Sequence, residues 1–245
     1  MKRIIVFLFI LSSLVASSQE QRIKNLSNFD RKWLHFGFTV GLSYFDASIA
    51  LSDEFLQQTS TGEYNINHVY SIENQPAPGF HLGPIVNLRI SEYLDARALV
   101  DLSFGQRNLD YTLRDTIGDA ESLYTVHRMK IESIFLELPM QLKYKAKRLN
   151  NIRPYVIIGV TPKWDMAANK KIKDEERPMI RFKPFDVFWE VGMGVDYYLP
   201  FFKFSTELKY QVGLFDITRP DNTQYTKSIN KMTSRMLVLS FHFEG

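Results

Sequence analysis

The chain of 245 residues contains no cysteine. That absence excludes disulfide bonds, thiolate zinc sites and a cysteine nucleophile, and leaves the compartment open. A net basic charge is almost missing too. The formal charge is +3, and once Lys2 and Arg3 are set aside the remainder holds 28 basic against 27 acidic residues. No nucleic-acid partner is therefore expected. Past the first sixteen residues no stretch approaches the roughly 18 uninterrupted apolar residues of a membrane-spanning helix. With 45% hydrophobic residues, an ordinary value, any membrane residence must be written in a pattern. It must then take the form of a closed barrel, since only helices and barrels satisfy their backbone in lipid.

What is present begins with an export signal. Lys2 and Arg3 form a basic start, Ile4 to Val15 is apolar apart from Ser12 and Ser13, and Ala16-Ser17-Ser18 supplies small residues for cleavage. The apolar stretch is too short to span the bilayer comfortably, so cleavage between Ser18 and Gln19 is expected. The expected organisation is a signal at 1–18, a leader at 19–33 and one barrel at 34–245.

Aromatic residues make up 14% of the chain, with 19 Phe and 12 Tyr, which suits strands and membrane interfaces. From His35 to Tyr44 the sequence alternates without error. Phe36, Phe38, Val40, Leu42 and Tyr44 share one face, opposite His35, Gly37, Thr39, Gly41 and Ser43. Strand side chains alternate with period two, so this is a strand with one greasy and one small or polar face. The same sorting recurs over Gly79–Ile90, Leu94–Gly105, Ser133–Tyr144, Pro154–Trp164, Val187–Tyr197, Phe202–Val212 and Met236–Phe243. That predicts eight strands.

The polar faces carry full charges, and the pattern nominates Arg97, Asp101, Glu137, Lys143, Glu190, Glu207 and Lys209 as an internal charge network. Arg89, Lys163, Lys203, Asp95 and Asp196 are further candidates for it. Such charges cannot enter an apolar sandwich core cheaply. Alternation alone does not say which face is inside, because a soluble lipocalin-like barrel would turn its charges outward. The connections decide. Ser91–Tyr93, Ala146–Ile152 and Leu199–Phe201 are short, whereas 46–78, 106–132, 165–185 and 213–235 are long and polar. Transmembrane barrels have tight periplasmic turns and long external loops, which predicts both termini in the periplasm. Trp164, Trp189, Tyr144, Tyr197 and Tyr210 lie on the greasy face near strand ends, as interfacial girdles require. The expected fold class is all-β, an eight-stranded antiparallel transmembrane β-barrel of the outer membrane, with lipid as its surroundings.

Several segments resemble the PorT family of Bacteroidetes outer-membrane barrels. They are Asn28-Phe29-Asp30-Arg31-Lys32 followed by His35-Phe36-Gly37-Phe38, then Pro78-Gly79-Phe80, Leu138 to Tyr144, Arg153-Pro154-Tyr155 and Glu190 to Gly194. The resemblance runs through the whole mature chain. It implies a non-enzymatic part in type IX protein secretion, with other secretion components as partners, and in gliding members a part in motility. A general small barrel with a structural, adhesive or ligand-binding role is the alternative, and an outer-membrane enzyme a third reading.

The resemblance carries no catalytic residue, and the sequence nominates none; Gly-x-Ser-x-Gly is absent. No cofactor is expected. His35 and His242 fall on the polar faces of the first and last strands, which closure makes neighbours, so a hydrogen-bonded pair near the periplasmic rim is expected. A metal there is not, since a site needs three or four ligands and nothing accompanies the two histidines.

Overall fold

The computed structural model describes residues 24–53, 68–117, 121–168, 180–219 and 224–245. The signal and its cleavage point at Ser18 and Gln19 lie outside them. The strands are β1 (Leu34–Leu51), β2 (His68–Gln75), β3 (Ala77–Arg89), β4 (Leu94–Leu99), β5 (Asp101–Ile117), β6 (Glu121–Glu137), β7 (Met140–Lys145), β8 (Ile152–Asp165), β9 (Phe185–Tyr198), β10 (Lys203–Gly213) and β11 (Ile229–Glu244). Eleven strands make eight staves, because β2/β3, β4/β5 and β6/β7 are each one run interrupted at Pro76, at Val100 and at Leu138-Pro139. At the first and third a proline lacks the ladder N–H, so regular pairing lapses there. The wall stays joined across the breaks, with Leu99 N–H donating to Pro139 O at 3.0 Å, Leu138 N–H to Pro162 O at 3.0 Å and Val100 N–H to Pro84 O at 3.2 Å.

Every neighbouring pair of staves is antiparallel, and β1–β11 pairing closes the ring. The register fixes its size. From Leu34 the partners run Leu88, Ala96, Leu142, Ile158, Val191, Tyr210 and Leu237, and return to β1 at Tyr44. A stagger of ten residues over eight strands, with a rise of ~3.3 Å and a strand spacing of ~4.8 Å, tilts the strands by about 40° and sets a backbone radius of about 8 Å. That radius leaves room for side chains alone.

The path just traced contains no charged residue, and its side chains point outward. Leu142 is 48% exposed, Ile158 62% and Tyr44 49%, whereas Lys143, Glu190 and Asp196 are fully buried. The greasy face is therefore outside and the charged face inside, the reverse of a water-soluble barrel. Trp164, Trp189, Tyr144 and Tyr210 are exposed on that outer wall and Tyr197 is partly so.

The short turns are where the sequence places them, but three of the four long connections are more ordered than expected. β1 continues to Leu51, β5 and β6 extend as a hairpin from Ile117 to Glu121, and β11 starts at Ile229. In these extensions the inward face turns apolar. Val69, Leu109, Tyr111, Leu113, Met129, Ile229 and Met232, joined by Ile180, Phe182 and Ile217 from the adjoining connections, form one buried cluster. Beyond the lipid the ordinary rule of water-soluble sheets returns, with grease inside and polar groups such as Asp110 and Arg128 facing out, paired at 2.8 Å.

Candidate functional site

The lumen holds the unusual chemistry. Inward positions along the staves carry ions of both signs, and most find a partner on a stave across or beside them. Arg97 Nη1 donates to Glu207 Oε2 at 2.6 Å, and Tyr155 Oη donates to the same oxygen at 2.9 Å. Lys143 meets Asp196 at 2.7 Å, Lys163 meets Glu137 at 3.0 Å and Lys203 meets Glu244 at 2.9 Å. Glu190 accepts from Gln141 at 2.7 Å and Gln211 at 2.6 Å, with Lys209 at 3.8 Å. Charges buried at this depth are costly unless paired, and here each carboxylate named has a cation within 3.8 Å.

All seven residues nominated from the sequence, Arg97, Asp101, Glu137, Lys143, Glu190, Glu207 and Lys209, lie in this buried interior. Six belong to the pairs just described, while Asp101 Oδ1 has no hydrogen-bond partner. Arg89 does not join them, since its Nε donates to Ser91 O at the short turn. Other members were missed, among them Arg107 and Asp165, paired at 3.2 Å. Lys145, paired with Asp95, and Glu244 each stand one residue past the end assigned to a strand, and continuing the alternation by one step reaches both.

Above the ions an apolar layer crosses the lumen, made of Phe45, Phe135, Phe188, Met236 and Val238. Phe45 and Phe135 stack with centroids 5.9 Å apart. Gly79 and Gly105 make the layer possible, because a Cβ at either would run into the Phe45 ring. Higher still comes the apolar cluster of the extensions.

The opposite mouth is closed by the leader. Phe29 is buried and stacks on His35 at 3.8 Å, inside a one-turn 3-10 helix at Phe29–Arg31. Asp30 accepts from Tyr198 Oη at 2.8 Å and pairs with Arg148 and Arg153, each at 3.4 Å. Asn25 bonds Asn151 at 2.9 Å and the Tyr198 carbonyl at 3.0 Å, and Arg148 reaches the Asn25 carbonyl. Leu26 takes a left-handed φ of 49° to bring the segment round.

The two rim histidines do not meet. The β1–β11 register sets Thr39 opposite His242, four residues from His35. His35 serves the leader stack, and His242 Nε2 lies 3.4 Å from Glu207. Adjacency of the staves was legible in the sequence, but the stagger between them was not. The histidine that bridges staves is His81, within 3.2 Å of both Ser43 Oγ and Ser240 Oγ. Among the described residues no group of three or more His, Asp or Glu is arranged to hold a metal.

An inverted, ion-filled ring of eight tilted staves accords with what the sequence matches. Residues 17–219 match the family described as outer membrane protein beta-barrel domain. The chain belongs to that family. Its place is accordingly the outer membrane, with lipid against the wall. Similar solved structures include Neisserial surface protein A, at 11% identity over 85% of this chain and 96% of that one with a TM-score of 0.43. OprG of Pseudomonas aeruginosa follows at 11% identity, 86% and 94% coverage and a TM-score of 0.40. Ail, the attachment invasion locus protein of Yersinia pestis, solved with the heparin analogue sucrose octasulfate, is 7% identical over 87% of this chain and all of that one, with a TM-score of 0.37. No curated protein matches the sequence.

Proposed function

We propose that this is a non-enzymatic outer-membrane barrel that works through its surfaces, in a structural, adhesive or ligand-binding role, and not as a conduit. The observation that carries the reading is the lumen, blocked in series by the leader, the ion-paired layer and the apolar layer. The asymmetry of the connections supports a topology with the long extensions outside the cell and both termini in the periplasm, behind a signal cleaved after Ser18 and a leader at 19–33. Binding then falls to the external extensions, since loops and rims carry function on a rigid scaffold. Single-cysteine labelling of intact cells tests the orientation in a chain without natural cysteine. Reagent should reach Lys183→Cys and not Lys147→Cys, and the opposite pattern would overturn it.

The type IX secretion role rests on the short motifs that resemble the PorT family, and secretion partners rest on it in turn. Several motif residues have tasks that barrel architecture explains. Phe29 and Asp30 hold the leader, and Glu190 sits in the ion network. The general reading therefore stands first. Deleting the gene separates the two, because loss of type IX cargo from the medium would restore the secretion role and unchanged secretion would end it.

A further inference from the structure

We infer that the external rim over β9, β10 and β11 binds the phosphate groups of a glycolipid in the outer leaflet. The inference rests on the orientation proposed above. Two antiparallel backbone links assemble the surface, the Phe182–Thr218 bridge and the Ile217 N–H bond to Met232 O at 3.0 Å. The first sets Arg181 and Arg219 across from each other, tied by Arg219 N–H donating to Arg181 O at 3.0 Å. The second brings that pair beside Lys231 on β11. Arg181, Lys183, Arg219, Lys227, Lys231 and Arg235 are all exposed.

Like charges set opposite each other in a sheet are unfavourable unless an anion lies between them. Among the described residues the acids close by are few, and two of the three are engaged. Asp216 lies 3.5 Å from Lys183 and accepts from the backbone N–H of Thr218 and Met232 at 3.1 and 3.0 Å. Burial works against its charge, but those N–H groups hold its carboxyl below the usual range. Asp46, opposite Arg235 in the register, instead accepts from Ala47 N–H and Asn74. Asp53 is exposed near Lys227, next to the Ser52–Ser228 backbone bond. Neither Arg181 nor Arg219 has a side-chain partner among the described residues.

Continuity with the lipid-facing wall selects a lipid over a soluble anion. On the outer face of β11 the order is Lys231, Thr233, Arg235 and then Leu237, Leu239 and Phe241, so cations give way to grease within one alternation. Tyr44 and Tyr210, both exposed, flank Leu237 at that boundary. Cations just above an aromatic boundary stand at headgroup level, and the planar guanidinium suits bidentate contact with phosphate.

The test titrates the full-length mature protein in neutral detergent with lipid A, a diphosphorylated glycolipid, with its dephosphorylated form and with soluble hexametaphosphate. Wild type should bind lipid A in preference to both. The combined Arg181→Gln, Arg219→Gln, Lys231→Gln and Arg235→Gln variant should bind it roughly tenfold more weakly or worse. The separate double variants should fall between. A charge-matched variant elsewhere, Arg31→Gln, Lys32→Gln, Lys130→Gln and Lys147→Gln, should bind as wild type does. Equal affinity of wild type and the rim variant, equal loss in the control, or equal binding of hexametaphosphate would each overturn the inference. Binding in micelles is independent of membrane orientation, so its failure is distinguishable from failure of the cysteine-labelling test.

Discussion

Replacing Glu207 with Leu strikes the lumen at a carboxylate with three partners. Glu207 receives Arg97 at 2.6 Å and Tyr155 at 2.9 Å, with His242 at 3.4 Å, and the Arg97 and Glu207 side chains are wholly inaccessible. The substitution leaves the Arg97 guanidinium without its carboxylate, and the remaining polar contact, Gln141 at 3.4 Å, is long. Breaking one side of a buried ion pair costs about 3–5 kcal/mol, mostly the penalty of the charge left behind. If that penalty is the cause, removing both charges should restore much of the loss. Arg97→Met with Glu207→Leu should lie within about 1 kcal/mol of wild type or above it. Reversible urea unfolding in lipid vesicles, with heat-modifiable gel mobility as a check on the folded barrel, reads all three proteins. The reasoning is refuted if Glu207→Leu alone costs less than about 1 kcal/mol, or if the double variant is no better than the single.

Arginine at Val40, Val191 or Leu208 on the outer wall should cost about 2–4 kcal/mol near the bilayer midplane in the same unfolding assay, and equal tolerance at all three would argue against the inside/outside assignment. Phe29→Ala should destabilise the barrel by about 3–5 kcal/mol, because a buried ring stacked on His35 is lost; unchanged unfolding would mean the leader is not part of the folded unit. Amino-terminal sequencing of the mature protein should begin at Gln19, and retained Met1 would exclude the cleaved signal.

How much of this was legible in the residues varies along the chain. Within the lipid-facing band strict alternation marks all eight staves, since each inward charge contrasts with an outward apolar neighbour, as Lys143 does with Leu142 and Tyr144. Above the band that rule reverses. Leu109, Tyr111 and Leu113 point inward where polar residues point inward below, so the β5–β6 extension reads as a polar loop to anyone following charge. Pairing partners such as Arg97 with Glu207 are 110 positions apart and depend on the stagger of the ring, which no local pattern encodes. Phe29 and Asp30 precede the first alternating segment, so nothing in periodicity shows that they close the mouth.

A blocked lumen is the central claim, and ion conductance of the refolded barrel in planar bilayers tests it most directly. The leader, the paired ions and the Phe45–Phe135 layer lie in series across a ring of about 8 Å radius, so insertion should leave the current at baseline. Stable conductance steps of the size shown by an open porin would contradict it.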